Sequence, residues 1–541
     1  MGSRPASPEL SRALARAIAR EASARGGMSP ELPGRVYERQ RAGDRRARRA
    51  AAVYYTPAHL VDFTIDRALG PLLREREPLA LRVLDPACGG GAFLLAALER
   101  MAAAGADRLD VLRHSLLGID IDPQAAAVAR MALSVAVPEA SAEDLARAVV
   151  VADALEPGSA PDGAFDAVVT NPPWGQKRFD LSVEKRQRFR KLYASARGAI
   201  DPFALFVERA HALLRRGGRW GMVLPDVVLL KNHEPLRALV LAGSELEWIA
   251  HAGRAFAGVN LDAVVMVGKR AEPRPRHRVV IWHSLPDSWR SRPPRSRRQA
   301  QAVFARLPGR RFNLHLDAGD LALLDRLAAH PRLGDRFEIH EGVHSGNARK
   351  KLFLAARPPG PCAPIVVGRA EVARYAVRWA GGWLDRSPAV LDRAAGDYAN
   401  LGRPEWHLRP KILVRRTGDH LVAAFDEQGL YVSNNLFVVL PRDAGMSAAE
   451  ERAVVAVLNS ALLTWCFRAQ VPRVGRLFAE LKIQHLAALP LPPLSRAEVR
   501  RLDRLACQRA AGEAGPVDRA IDDAVAALYG LSAADRRRVR G

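Results

Sequence analysis

Short apolar runs alternate with segments predicted as helices between Leu81 and Gly268. The runs are LRVLD, SLLGID, AVVVAD, DAVVTN, WGMVLP and AVVMVG. Strands that alternate with helices predict a parallel sheet with right-handed crossovers, and therefore an α/β fold class. Ligands of such sheets bind where the strands end, at their carboxyl side. We therefore look for chemistry at the ends of these runs.

The pattern changes further along the chain. Pro and Arg dominate residues 269–312, which predicts a linker, although VVIWHS within it has the pattern of one more strand. Beyond it, mixed helices and strands such as KILVRR and LVAAFD predict a second, α+β domain. We divide the chain into a helical basic N-terminal arm (1–50), an α/β domain (51–268), the linker (269–312) and the second domain (313–541).

Composition and charge indicate which classes of partner the chain can bind. Lys and Arg outnumber Asp and Glu by 82 to 58, a formal charge of +24, which favours a polyanion such as nucleic acid or a membrane surface. The charge is nearly all Arg, so base composition of the coding DNA is an alternative cause. The four cysteines form no CxxC pair, which argues against zinc, and we expect no metal site. We expect no signal peptide or membrane span, and a cytoplasmic protein.

The first chemical motif is a glycine-rich turn between a strand and a helix. The strand ends at Asp85, and Ala87, Gly89 and Gly91 lie in the turn before the helix that contains Phe93. Glycines let a ligand approach the backbone, and a helix N-terminus offers unpaired N–H groups. The spacing is neither a Walker loop nor GxGxxG, which argues against ATP and NAD. A nucleotide-like cofactor fits, and a turn without a ligand gives the same pattern.

Two further strands end in acidic residues. In Gly118-Ile119-Asp120-Ile121-Asp122-Pro123, we assign Asp120 to the hydroxyls of a ribose. We assign Asp122 to the N-cap of the helix that begins at Pro123. Asp153, followed by Ala154, is a candidate acceptor for the amino group of the cofactor's adenine.

The fourth motif is Asn171-Pro172-Pro173-Trp174, after the strand DAVV. Prolines fix the backbone and remove donors. The loop therefore presents two acceptors, the Asn171 side-chain oxygen and the Pro172 carbonyl, which would hold the two hydrogens of an amino group. Holding them returns the nitrogen lone pair and stabilises the developing positive charge. Trp174 can stack on a base. By itself the loop suits several planar amine or amide substrates, and a rigid surface turn is the alternative.

These motifs in this order resemble the class I adenine-N6 DNA methyltransferases, in particular the TaqI-like group. Val53-Tyr54-Tyr55-Thr56-Pro57 looks like the family's N-terminal cofactor motif, and AFAGVNLDAVVMVGKR looks like its target-base segment. The resemblance implies a Rossmann-like sheet that binds S-adenosylmethionine and methylates N6 of a flipped adenine. It also implies that Phe256 stacks on the target base with Trp174. The residues implied for the cofactor are Tyr55, Thr56, Pro57, Asp85, Ala87, Gly89, Gly91, Phe93, Asp120, Ile121, Asp153, Ala154 and Asn171.

The second domain resembles the TaqI-like specificity domain in scattered patterns such as LYVSNNLFVVL and LNSALLTW. The resemblance implies double-stranded DNA as the partner and a role in restriction-modification or DNA modification. We expect a monomer, with any restriction endonuclease on a separate chain. Two alternatives stay open: an N-methyltransferase for RNA or a protein glutamine, and a DNA-binding specificity protein without catalysis.

Overall fold

The computed structural model describes residues 20, 56–175, 181–197, 200–230, 233–256, 261–368, 370–470 and 481–540. The chain divides into two compact units, Met1–His315 (unit 1) and Leu316–Gly541 (unit 2). The predicted N-terminal arm lies outside the described residues, except for Arg20, which is helical. Among described residues, no single helix is long and apolar enough to span a membrane. One bent pair of helices, Ala448–Leu458 with Ala461–Ala469, has the length and composition of a membrane span, and nothing beyond length and composition supports that interpretation.

Unit 1 is an α/β fold around one large sheet. Its strands are β1 (Val83–Asp85), β2 (Leu116–Asp120), β3 (Val149–Val151), β4 (Phe165–Thr170), β5 (Leu214–Pro225), β6 (Ser244–Gly253), β7 (Ala263–Arg270), β8 (Arg278–Trp282) and β9 (Arg297–Ala300). Its helices are α1 (Ala58–Ala68), α2 (Gly70–Glu75), α3 (Ala92–Ala102), α4 (Arg108–His114), α5 (Pro123–Ala136), α6 (Ala142–Ala148), α7 (Val183–Leu192), α8 (Pro202–Leu213), α9 (Val227–Leu230), α10 (Glu234–Gly243) and α11 (Gln301–Arg306).

The sheet has the strand order β3-β2-β1-β4-β5-β7-β6-β8-β9. The first five strands in that order are parallel to their neighbours, as predicted. β7 instead runs antiparallel to both β5 and β6. The connection 254–262 between β6 and β7 explains this reversal, because a parallel crossover needs about a dozen residues or more. The sequence pattern did not predict β6, because Glu245, Glu247 and His251 interrupt its apolar residues.

The segment predicted as a linker, 269–312, belongs to unit 1 instead. VVIWHS supplies β8, which pairs in parallel with β6, and β9 pairs with β8 at the sheet edge. Its aromatic residues are buried: Trp282 and Trp289 pack with Phe63 of α1. This edge segment has the Arg- and Pro-rich composition of a linker. Its tryptophans are the sequence feature that indicates packing against a core.

Unit 2 is α+β, as predicted. Its strands are β10 (Phe337–Glu341), β11 (Phe353–Leu354), β12 (Cys362–Val366), β13 (Val372–Ala373), β14 (Ala376–Val377), β15 (Trp383–Asp385), β16 (Lys411–Arg415), β17 (Ala423–Asp426), β18 (Tyr431–Val432) and β19 (Leu436–Pro441). Its helices are α12 (Ala318–Leu327), α13 (Leu333–Arg336), α14 (Arg349–Leu352), α15 (Pro404–Leu408), α16 (Ala448–Leu458), α17 (Ala461–Gln470), α18 (Ile483–Ala487), α19 (Arg496–Ala510), α20 (Pro516–Leu528) and α21 (Ala533–Arg540).

The core of unit 2 forms around the four-stranded sheet β10-β19-β16-β17. One hydrophobic cluster joins this sheet to the helices that follow it, through residues such as Phe437, Val455 and Ile521. A second cluster, with Leu413, Ala424 and Val438, involves alternate residues of the same strands. Because strand side chains alternate between faces, the sheet is buried on both sides.

Candidate active site

The carboxyl ends of the central strands bring the predicted site residues to one edge of the sheet. β1 lies between β2 and β4, and all three strands are parallel. Asp85 and Asp120 are their last residues, and Asn171 follows β4 directly. Asp153 follows β3, the neighbour of β2. The topology therefore gathers residues that lie up to 86 positions apart (85 to 171) in the sequence.

The glycine-rich turn has the open backbone that a ligand requires. Gly89 has φ +52°, and a Cβ added there would meet nothing within 4 Å. Gly91 has φ +83°, and an added Cβ would lie 3.2 Å from the Ala129 backbone, so close packing requires glycine there. Gly91 is the N-cap of α3 and makes no side-chain cap, which leaves the first N–H groups of the helix available. Phe93 is 3% exposed and belongs to the core, so only its backbone can face a cofactor.

Asp85 and Asp120 are buried carboxyl groups beside this turn. Oδ1 of Asp85 accepts from the backbone N–H of Ala87 at 3.1 Å, and its buried Oδ2 has no hydrogen-bond partner among the described residues. Burial raises the pKa of Asp85 to about 7, although the nearby Thr170 hydroxyl and the hydrogen bond from Ala87 act to lower it. Burial also raises the pKa of Asp120. An acidic group held this way is poised to meet a positively charged ligand.

Asp120 organises the turn as well as ending β2. Its Oδ2 accepts from the N–H of Gly89 and its Oδ1 from the N–H of Asp122, each at 2.8 Å. Each carboxylate oxygen keeps a further lone pair for a ribose hydroxyl. Asp122 caps α5 through the N–H of Gln124, and this confirms the predicted division of labour between the two aspartates as far as the cap is concerned. Between them, the Ile121 side chain is 65% exposed, an apolar surface that a flat base could cover.

Asp153 has a partner that the sequence did not predict. Its Oδ2 accepts a 2.6 Å hydrogen bond from Nζ of Lys185 in α7, and its Oδ1 accepts from the N–H of Leu155. Ala154 is buried, and its carbonyl accepts from Nε of Arg209. A cofactor amino group at Asp153 would therefore share the carboxylate with Lys185. Nothing in the sequence pattern relates Lys185, 32 positions away, to this acid.

Asn171 presents an unsatisfied acceptor. Its Nδ2 donates a 2.9 Å hydrogen bond to the hydroxyl of Thr56, while its buried Oδ1 has no partner among the described residues. Pro172 is buried and Pro173 is exposed. Leaving a buried acceptor unsatisfied costs about 1–3 kcal/mol, so such an oxygen indicates a missing donor. The amide is held with its oxygen ready for a donor such as an amino group.

Thr56 and Pro57 precede α1, and Tyr55 lies outside the described residues. Pro57 is the N-cap residue of α1, and Thr56 is 6% exposed. The structure thus places part of the predicted cofactor motif against the loop from Asn171 to Trp174, which we call the acceptor loop.

Trp174 and Phe256, which the resemblance assigns to the target base, lie in contact with each other. Their ring centroids are 5.0 Å apart and their planes meet at 81°, an edge-to-face contact. Phe256 is 6% exposed and belongs to the hydrophobic core of unit 1, and the partly buried Trp174 packs against that core. A base stacked between two parallel rings needs their planes roughly 7 Å apart, twice the contact distance of about 3.5 Å. The described arrangement is therefore closed, and the two rings must separate to sandwich a base.

Asp201 is a second residue that holds the acceptor loop. Its Oδ1 accepts from the N–H of Gly175 at 3.2 Å, and burial raises the pKa of Asp201 to about 6. Asp201 stands directly before Pro202 at the start of α8. The sequence indicates no role for this residue in the site, because an acid before a helix-starting proline is normally interpreted as a cap.

A possible metal-binding group lies at the same end of the sheet. Asp226, His251 and Asp262 bring potential ligand atoms within 4.8 Å of one another. The N–H of Gly253 donates to Nδ1 of His251 at 3.3 Å, and Nε2 of His251 lies 3.9 Å from Asp262. We assign no metal to this group.

Two family models match the chain. The model of N-6 DNA methylases matches residues 30–291, and the model of the TaqI-like C-terminal specificity domain matches residues 363–491. The second match lies within unit 2. The matches confirm the resemblance drawn from Asn171 to Trp174 and from the scattered patterns of the second domain.

Individual proteins agree with these matches. The type II methyltransferase M.TthHB8I of Thermus thermophilus is 24% identical over 401 residues, which cover 72% of this chain and 79% of that protein. The type IIL restriction-modification enzyme MmeI, solved with DNA, aligns with a TM-score of 0.59 and 14% identity over 95% of this chain and 82% of its own. The DrdV–DNA complex aligns with a TM-score of 0.57 and 12% identity over 89% and 59%. The structural likenesses confirm the predicted fold.

Proposed function

We propose that this chain, which belongs to the N-6 DNA methylase family of restriction-modification enzymes, methylates the exocyclic amino nitrogen of adenine within a specific sequence of duplex DNA. DNA methyltransferase activity and the methyl donor S-adenosylmethionine follow from the family. The choice of adenine is our proposal. The observation that carries it is the buried Oδ1 of Asn171, which has no hydrogen-bond partner in the described part of the chain and lies beside an aromatic pair.

The residues present fit the methyl donor. The open backbone at Gly89, the uncapped start of α3 and the buried Oδ2 of Asp85 offer polar groups at the carboxyl edge of the sheet. Asp85 and Asp120 would hold the amino-acid and ribose parts, and Ile121 and Asp153 the adenine ring and its amino group. When bound, the donor supplies an electrophilic methyl group on a positively charged sulfur.

The acceptor loop prepares the target nitrogen. Oδ1 of Asn171 and the carbonyl of Pro172 would accept the two hydrogens of the adenine amino group, which withdraws its lone pair from the ring. They also stabilise the positive charge that develops on this nitrogen, where fixed dipoles are most effective. Trp174 and Phe256 would hold the extruded ring, and one proton of the methylated amino group would pass to solvent water, which restores neutrality. Positioning supplies much of the rate.

Sequencing of modified bases tests the proposal directly. DNA from cells that express the chain should carry N6-methyladenine at one short sequence, because two acceptors at an aromatic slot suit the adenine amino group. Cells that express Asn171→Ala serve as the matched control and should lack the mark. N4-methylcytosine at a motif, or no modified motif in DNA, would contradict the choice of adenine.

Binding of the donor should depend on pH through Asp85. Burial raises the pKa of this carboxyl to about 7, so it is mostly protonated below that pH, whereas a positively charged ligand favours the ionised form. Affinity for S-adenosylmethionine should therefore rise as the pH rises towards 7, by up to about tenfold per pH unit, and then level off. Calorimetry between pH 5.5 and pH 8.5 measures this.

Two controls isolate the carboxyl group in that experiment. Asp85→Asn should flatten the dependence, and methylthioadenosine, which lacks the amino-acid part and its ammonium group, should show a shallower one. A wild-type affinity that stays constant across this pH range would refute the role given to Asp85.

We also propose that the chain acts as a monomer and that any cognate nuclease is a separate protein. The relative M.TthHB8I, named as a methyltransferase alone, supports the separate nuclease. Sedimentation of the chain with and without its target duplex measures the stoichiometry; a two-to-one complex would contradict the monomer.

A further inference from the structure

The hydroxyl of Thr56 connects the cofactor motif to the acceptor loop. It accepts the 2.9 Å hydrogen bond from Nδ2 of Asn171. Thr56 is 6% exposed and is followed by Pro57, the residue that precedes α1. Among the described residues, the Thr56 hydroxyl has no acceptor for its own proton. A buried hydroxyl with a spare proton indicates a missing acceptor on its other side.

The direction of this hydrogen bond decides whether Asn171 works. A hydroxyl both donates and accepts, so Thr56 alone tolerates either orientation of the Asn171 amide. In the orientation present, Nδ2 faces Thr56 and Oδ1 is left for the substrate. If the amide turned over, Nδ2 would face the target amino group, and two donors would oppose each other. Thr56 enforces the productive orientation only when its own proton is held by another group.

We propose that Thr56 donates this proton to an anionic acceptor of the bound donor, the carboxylate of its amino-acid part, and thereby couples cofactor binding to the orientation of Asn171. The inference rests on the proposed function and adds a regulatory link within the same site. With the proton engaged, the hydroxyl can only accept from Asn171, so Oδ1 points to the target. Cofactor and target adenine then bind with positive cooperativity, and each raises the affinity of the other by the same factor.

The coupling can be measured without turnover. A labelled duplex with the sequence found by modified-base sequencing is titrated with the full chain, with and without saturating S-adenosylhomocysteine, which has the same carboxylate and no methyl group to transfer. One hydrogen bond in this position should make DNA binding about three- to tenfold tighter in the presence of the ligand. Thr56→Ser keeps the hydroxyl and should keep this factor. Thr56→Val keeps the shape and should lose it.

Substitution in the DNA provides a second arm of the cycle. A duplex with purine in place of the target adenine lacks the amino group that Oδ1 accepts from. Wild type on this duplex should show the same reduced coupling as Thr56→Val on adenine, and the two changes together should not add. Asn171→Ala, which removes the amide while Thr56 stays in place, should also lose the coupling.

Each outcome bears on one claim. Full coupling in Thr56→Val, or its loss in Thr56→Ser, would overturn the inference, as would equal coupling on the adenine and purine duplexes. If DNA from cells that express the chain carries no modified-adenine motif, the proposed function is wrong. If the wild-type chain methylates adenine but shows no coupling, only the inference about Thr56 is wrong.

Discussion

Asn171→Ala should lower kcat for DNA methylation by about 100- to 1000-fold, the range observed when one preorganised hydrogen-bonding group is removed from a site of developing charge. Oδ1 of Asn171 is buried, lacks a partner among the described residues and is held by the bond from Nδ2 to Thr56. Without this acceptor, the lone pair of the target amino nitrogen stays delocalised into the adenine ring. Transfer of tritiated methyl groups to duplex DNA in single-turnover experiments measures this loss.

The comparison variants separate chemistry from folding. Asn171→Asp keeps an acceptor oxygen and should retain more activity than the alanine variant. Both should still bind S-adenosylmethionine, since the open turn at Gly89 and the Asp85 carboxyl are untouched. Undiminished turnover in Asn171→Ala would refute the mechanism, whatever the effect on binding.

Lys411→Met should destabilise unit 2 by about 3–5 kcal/mol, the cost of leaving a buried charge without its partner. Lys411 and Asp426 pair on the adjacent strands β16 and β17, with side chains 0% and 1% exposed. The ammonium group also donates to the carbonyl of His407 at 2.6 Å. Calorimetric unfolding of the full chain, with hydrogen exchange at β16 and β17, measures the loss.

Two controls accompany this variant. Arg147→Met breaks an exposed pair with Glu143 on α6, whose side chains are 66% and 75% exposed, and should leave the unfolding transition nearly unchanged. Lys411→Met combined with Asp426→Asn removes both charges and keeps an acceptor for one of the two N–H groups, of Gln428 and Leu430, that Asp426 holds, so it should recover part of the stability. An unchanged transition in Lys411→Met would show that Asp426 finds another partner or a proton.

Residue types and order along the chain determined the central conclusion. The glycine turn after Asp85, the acids at Asp120 and Asp153, and the loop from Asn171 to Trp174 each follow a predicted strand, and parallel topology then requires them to meet at one edge. Local signals also predicted the cap at Asp122. These features depend on near neighbours in the sequence, which is why a single chain suffices to predict them.

Contacts between distant segments were decided only by the tertiary structure. The bond from Asn171 to Thr56 spans 115 positions and that from Asp153 to Lys185 spans 32. The segment that composition marked as a linker is part of the sheet because β8 pairs with β6 and its tryptophans are buried. The edge-to-face contact of Trp174 with Phe256 likewise follows from how two loops pack. Periodicity along a chain specifies which residues face a core, whereas pairing of remote polar groups depends on distances that exist only once the sheet has formed.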